Sequence, residues 1–134
     1  MSRHKMNLLM EIYVTLHEQF EVRGHEGKAV MISFSAKTEG ELFTGRTVMD
    51  GCDTQFTDND GAFTLSARYM LEGKDFNGEK CRLFIENNGT SLDNCKPRII
   101  TNSAALAFLE KTELSANVEC VENGVIVRIY RKDI

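Results

Sequence analysis

Apolar and polar residues alternate along most of this 134-residue chain, most regularly between Phe63 and Gly89. Two alternating runs in this block are joined by the polar turn Asp75–Gly78, and Asn88-Gly89 closes the second run. A period of two is typical of a β-strand that buries one face, and Asx-Gly turns between such runs are typical of antiparallel hairpins. The block therefore predicts a hairpin, and the same pattern recurs in both directions along the chain.

The recurring pattern predicts eight strands. Their expected ranges are Leu8–His17, Lys28–Lys37, Phe43–Gln55, Phe63–Leu71, Glu79–Asn87, Arg98–Thr101, Glu113–Glu122 and Val125–Arg131. Gly45 and Gly51 lie inside the third range, and glycines within a strand often mark a bulge or a bend, so we expect that strand in two pieces. Asn123-Gly124 between the last two strands predicts a type I′ hairpin turn.

The segments between the later strands predict one loop and one helix. Asn88–Lys96 is polar and is expected to be a loop. Asn102-Ser103 offers an N-cap for a short helix over Ala104–Lys111, which would cap one mouth of a closed sheet. The strand that follows is expected to bury Leu114, Ala116, Val118 and Cys120.

Eight closely spaced strands favour an all-β fold with a closed sheet. Closure removes the exposed strand edges, and eight strands enclose an interior that side chains fill or that holds one small ligand. We expect a single eight-stranded, mainly antiparallel β-barrel over residues 1–134, with residues 1–7 as a flexible tail. A sandwich of two sheets is the alternative fold.

Composition narrows the classes of partner. The net charge of -4 and the pI near 5.4 argue against nucleic acid and against an anionic membrane surface, both of which need a basic footprint. No apolar run approaches the roughly 18 residues of a membrane helix, and no targeting segment is recognisable, so we expect a cytoplasmic protein. Self-association into a homo-oligomer stays possible.

No pattern of metal ligands or cofactor-binding residues is present in the sequence. The four cysteines are widely spaced without a CxxC pair, so we expect reduced thiols and no zinc site. His4, His17 and His25 form no ligand motif, and no phosphate-cradling glycine loop occurs. We therefore expect no metal and no cofactor.

Several motifs, in order along the chain, resemble those of one family. They are Thr44–Val48 with Gly51–Gln55, Ser66–Tyr69, the stretch from Asp75 to Asn87-Asn88-Gly89, and the closing Val127–Arg131. On these motifs the chain resembles the uncharacterised bacterial and fungal family known as domain of unknown function 3237. The resemblance implies a small β-barrel of the calycin or allene-oxide-cyclase-like type, with no established activity. The chain departs from the family pattern at Thr54, Cys52 and Lys28, where the family usually has Trp, Ala and Arg.

Asp53, Gln55, Arg68 and Tyr69 are the first candidate site residues. Asp53 and Gln55 are two apart on one strand and point the same way, so they are able to bind a polar group, with Asp53 as a possible general base. The alternative is that Asp53 bonds only to backbone at a bend. Arg68 either faces the interior, where it would pair with Asp53 or clamp an anion, or is a surface arginine. Tyr69 lies on the opposite, apolar face and is either a ligand contact or a core residue.

Asn87 and Arg98 complete the candidate list. Asn87 is a polar residue on an otherwise apolar face, although a role in the turn explains it equally well. Arg98 follows the only proline and either projects over a mouth of the barrel or is a surface charge.

Three functions are compatible with these residues. The first is a module that binds a small, partly apolar molecule in the lumen. The second is a cofactor-independent isomerase, cyclase or lyase, with Asp53 as base and Arg68 stabilising an oxyanion. The third is a packed barrel that acts through self-association.

Overall fold

The computed structural model describes residues 6–132, and nearly all of them lie in antiparallel strands. The nine strands are β1 (Met6–Arg23), β2 (Gly27–Thr38), β3 (Phe43–Thr47), β4 (Gly51–Asp58), β5 (Phe63–Asp75), β6 (Lys80–Ser91), β7 (Asn94–Thr101), β8 (Leu114–Val121) and β9 (Gly124–Lys132). A single 3₁₀ turn, Ala107–Glu110, stands between β7 and β8. In the described part of the chain, no helix has the length and apolar character needed to cross a membrane.

One sheet closes into a ring. The strands follow the order β1-β9-β8-β7-β6-β5-β3-β2-β4, and β1 also pairs with β2. β3 and β4 each pair with both β2 and β5, so together they occupy one position in a wall of eight positions. The predicted all-β barrel is confirmed, the predicted third strand is indeed two pieces, and the alternative of two separate sheets is wrong.

The predicted loop over Asn88–Lys96 is wrong. β6 continues to Ser91 and β7 begins at Asn94, so this segment is a hairpin with a two-residue turn. Its polar residues alternate with buried ones, because Asn88 and Lys96 face outwards while Cys95 is buried. In the sequence, the polar residues on the outer faces of these two strands therefore resemble those of a loop.

Three other expectations need correction. The helix over Ala104–Lys111 is reduced to one 3₁₀ turn. The last hairpin turns at Glu122-Asn123, of which only Asn123 has a positive φ (65°), so the turn is not type I′. The predicted tail is only partly described: Met6 and Asn7 already pair in β1, while residues 1–5, including His4, lie outside the described residues.

One end of the barrel is closed by the segment between β7 and β8. Leu106 and Leu109 from this segment are almost wholly buried and join the core beside Phe43. The Ser103 hydroxyl holds the segment in place: it donates to the Asp75 carboxylate at 2.7 Å and accepts from the Leu106 N–H at 3.1 Å. This segment leaves only the opposite end of the barrel open to a ligand.

Candidate functional site

A cavity of about 240 Å³ opens at the end of the barrel opposite the 3₁₀ turn. Its polar wall consists of Asp53, Gln55, Tyr69 and Asn87 from the neighbouring strands β4, β5 and β6. Its other walls are mainly apolar and include Val14, Leu16, Ile32, Phe34, Leu65, Ala67, Val118, Val125 and Val127. The site is thus a mainly apolar pocket with a few polar groups on one side, which is typical of ligand-binding sites.

The strand register explains why these polar residues meet. Ala67 on β5 lies directly between Asp53 on β4 and Asn87 on β6, and all three face inwards. Because neighbouring strands are about 4.8 Å apart, the small Ala67 side chain leaves open space between its two polar neighbours. Tyr69 follows two residues later on the same inner face of β5.

Asp53 lines the cavity with one carboxylate oxygen bonded and the other unbonded. The Gln55 side-chain N–H donates to Asp53 Oδ2 at 2.9 Å, whereas Asp53 Oδ1 is buried and no described residue hydrogen-bonds to it. Burial raises the pKa of the Asp53 carboxyl, and the bond from Gln55 offsets part of that rise. The group is therefore a better proton acceptor, once ionised, than an exposed aspartate.

Tyr69 presents an unpartnered hydroxyl. The residue is almost fully buried, and none of the residues that the structure describes hydrogen-bonds to its hydroxyl oxygen. Its ring makes an edge-on contact with Phe34, with 5.2 Å between ring centroids, and the two rings pack where Gly51 leaves no Cβ in the way. Burial raises the pKa of the Tyr69 phenol, so the hydroxyl keeps its proton and remains a donor.

Asn87 contributes a third unpartnered polar atom. The side chain is only 2% exposed, and its Oδ1 accepts no hydrogen bond from the described part of the chain. Cys95 lies beside it: Asn87 bonds to the Cys95 thiol, whose pKa burial nevertheless raises. The Cys95 thiol donates in turn to the Ser91 carbonyl at 3.3 Å.

Arg68 and Arg98 lie outside the barrel, which corrects the expectation that they could enter the site. Arg68 Nε is 2.9 Å from Glu86, and Arg98 Nε is 3.4 Å from the same carboxylate. The two arginine side chains are 66% and 62% exposed. Arg68 therefore does not pair with Asp53, and neither arginine reaches the cavity.

The cavity wall carries no Lys, Arg or His among the described residues. Asp53 Oδ1 and Asn87 Oδ1 are acceptors, and the Tyr69 hydroxyl both donates and accepts. This arrangement suits a ligand with hydrogen-bond donors and disfavours an anion. No group of three or more His, Cys, Asp and Glu side chains within residues 6–132 is placed to hold a metal ion.

The polar residues of the cavity wall were among the candidate site residues predicted from the sequence, whereas its apolar residues were not. The apolar residues of β1, β8 and β9 carry no chemical motif, and their alternation shows only that they lie on the inner face of the barrel. Cys120, expected to be buried, is exposed at the mouth of the cavity, and Val118 is half-buried because it also lines that space. The described cysteines are all unpaired.

No protein-family model matches the chain, and no curated protein matches it. Solved structures do match over almost its whole length. A protein of unknown function from Clostridium acetobutylicum has 19% identity and a TM-score of 0.82, covering 99% of this chain and 99% of that one. A β-barrel-like protein from Acinetobacter baumannii has 19% identity and a TM-score of 0.76, covering 98% of both chains.

An enzyme from Penicillium herquei also has this architecture. It shares 10% identity with a TM-score of 0.78, covering 98% of this chain and 96% of that one. At such identities the likeness shows the fold alone, and it agrees with the barrel described above. The resemblance to domain of unknown function 3237 stays a prediction.

Proposed function

We propose that the protein binds a small, uncharged, mostly apolar molecule in the open end of its barrel. Three residues that line this one cavity, Asp53, Tyr69 and Asn87, each carry a buried polar atom to which no described residue hydrogen-bonds, and this observation carries the proposal. Each unsatisfied buried polar atom costs about 1–3 kcal/mol, so three in one place are best explained by a ligand that satisfies them.

The size and polarity of the cavity limit the ligand. Its volume of about 240 Å³ is smaller than the roughly 300–1,000 Å³ of drug-sized pockets, which favours a small metabolite. Two of the three unbonded atoms are acceptors, so the ligand should carry at least one hydroxyl or amide hydrogen for Asn87 or Asp53. Self-association of a packed barrel would not require unbonded polar atoms inside the lumen.

Catalysis in the same cavity is the second candidate function. The free, basic Oδ1 of Asp53 favours it, and one solved structure of similar fold is an enzyme. The role first considered for Arg68 is not part of this candidate, because the arginine is outside the barrel.

A thermal-shift screen with a library of small neutral metabolites tests the binding proposal. A ligand at 100 times its Kd adds about 2.7 kcal/mol, which raises the melting temperature of a domain of this size by about 5–10 °C. Ala67→Leu should abolish the shift because the larger side chain fills the space between Asp53 and Asn87. Thr54→Leu, on the outer face of the adjacent strand, should leave it unchanged. Shifts that survive Ala67→Leu, or no shift from any compound, would refute the proposal.

A further inference from the structure

Asp53 and Tyr69 form a complementary pair across two neighbouring strands. Asp53 lies directly opposite Ala67, so Tyr69 is its diagonal neighbour, and diagonal neighbours on one sheet face are about 7–8 Å apart. Both side chains border the same cavity, one with a free acceptor oxygen and the other with a free hydroxyl. The cavity that both side chains line has a volume of about 240 Å³, which is large enough for a small ketone.

We infer that this pair makes the cavity an active site that moves a proton on the carbon adjacent to a carbonyl group. The substrate class is a small, neutral, mostly apolar ketone with a hydroxyl group, and the reaction class is enolisation or the isomerisation that follows from it. The inference rests on the proposed function, since the substrate occupies the proposed ligand cavity.

The chemical step uses only groups on the cavity wall. Asp53 Oδ1 takes a hydrogen from the α-carbon as a proton. The electron pair of that C–H bond becomes the carbon–carbon double bond of an enolate, and the carbonyl π electrons move to oxygen. The Tyr69 hydroxyl donates a hydrogen bond to this oxyanion. Asp53 then returns the proton to the same carbon, which exchanges the hydrogen, or to another carbon of the system, which isomerises the substrate.

The environment of each group fits its role. Gln55 holds Asp53 Oδ2 at 2.9 Å, which fixes the carboxylate and leaves Oδ1 free, so Gln55 is a positioning residue. Burial makes Asp53 more basic and keeps Tyr69 protonated, as general-base catalysis and oxyanion stabilisation require. Asn87 Oδ1 is available to accept a hydrogen bond from the substrate hydroxyl and so to orient it.

Hydrogen–deuterium exchange tests the inference directly. Cyclohexanone and 2-hydroxycyclohexanone are incubated with the protein in D₂O, and loss of the α-proton signals is followed by proton NMR. Saturation-transfer NMR on the same samples reports binding separately. The wild-type protein should accelerate exchange above the buffer rate, and more for the hydroxyketone.

Three variants assign the step to its residues. The isosteric Asp53→Asn should reduce protein-dependent exchange by at least about 100-fold, the usual contribution of a general base. Tyr69→Phe should reduce it by about 100–1,000-fold through loss of the oxyanion donor, with binding retained. Arg68→Gln on the outer surface should change it less than about twofold. Circular dichroism confirms that each variant is folded.

The outcomes separate this inference from the binding proposal. Exchange lost in Asp53→Asn and retained in Arg68→Gln supports the inference. Ketones that bind without exchange above that of Asp53→Asn would overturn it and leave the binding proposal intact. Failure of both ketones to bind, while other library compounds do, would overturn the substrate class. If no compound of any class binds, the proposed function fails and the inference fails with it.

Discussion

Asp53, Tyr69 and Asn87 are polar residues at positions where the inner face of the barrel is otherwise mainly apolar. Their free atoms destabilise the folded protein, because nothing in the described chain replaces the water they lose on folding. Proteins tolerate such local costs mainly where function needs them. We therefore expect a trade-off, in which replacing one of these polar residues raises the stability of the fold and lowers activity.

The Asp53→Asn substitution tests the stability side of this trade-off. The pKa of Asp53 is raised in the folded protein above its unfolded value of about 3.9, so the fold favours the protonated form. Wild-type stability should therefore fall as the pH rises from about 4 through the folded pKa. Asparagine does not titrate, so the variant should gain stability relative to wild type as the pH rises towards neutrality. Urea unfolding of both proteins at several pH values measures this, and a difference that does not grow with pH would contradict it.

Prediction of single residues succeeded where the alternation showed which face of a strand points into the barrel, and it failed where either face could do so. Asn87 stood out because its strand neighbours on that face are apolar, and it does line the cavity. Arg68 and Tyr69 are adjacent in sequence and must face opposite sides, but local sequence does not show which side is the lumen. That choice depends on closure of the whole ring, which places Tyr69 inside.

At the scale of elements, the break between β3 and β4 shapes the barrel wall. Gly45 on β3 lies opposite Gly73 on β5, and a Cβ on either would collide with backbone of the partner strand. The two strands therefore approach more closely than side chains would allow. Sequence reasoning identified Gly45 and Gly51 as the interruption, because interior glycines are rare in strands without such a cause.

Two glycine substitutions test this close approach. Gly73→Ala should destabilise the fold by about 3 kcal/mol, because its Cβ would collide with the Thr44 carbonyl oxygen and the strands must separate. Gly40→Ala is the control, since its Cβ would meet nothing nearer than 3.8 Å and should change stability by less than about 0.5 kcal/mol. Chemical unfolding measures both. Equal effects of the two substitutions would contradict the close approach.

Sequence reasoning failed for segments whose polar residues suggest a loop but whose backbone pairs with neighbouring strands. β6 and β7 continue through Asn88 and Asn94, which are poor strand formers, because each strand has a partner on both sides. The expected helix is shortened although Ser103 makes the capping bond. The Ser103 hydroxyl accepts from the Leu106 N–H and also ties the segment to Asp75, and only one 3₁₀ turn follows.

At the scale of the whole molecule, the barrel has one closed end and one open end. The strand–turn rhythm was sufficient to predict the closed sheet, and chains with 10–19% identity share the same fold. The cavity was not predictable in the same way. Its volume depends on side chains from most of the strands at once, including the small Ala67 at its polar wall.

The most direct test of a ligand site in the lumen is the position of a bound molecule relative to the two faces of β5. Methyl-labelled protein is mixed with the best compound from the thermal-shift screen, and intermolecular nuclear Overhauser effects are recorded. We expect contacts from the ligand to the methyl groups of Ala67, Leu65 and Val127 inside the barrel. Contacts confined to Thr54 and Thr64 on the outer face would contradict it.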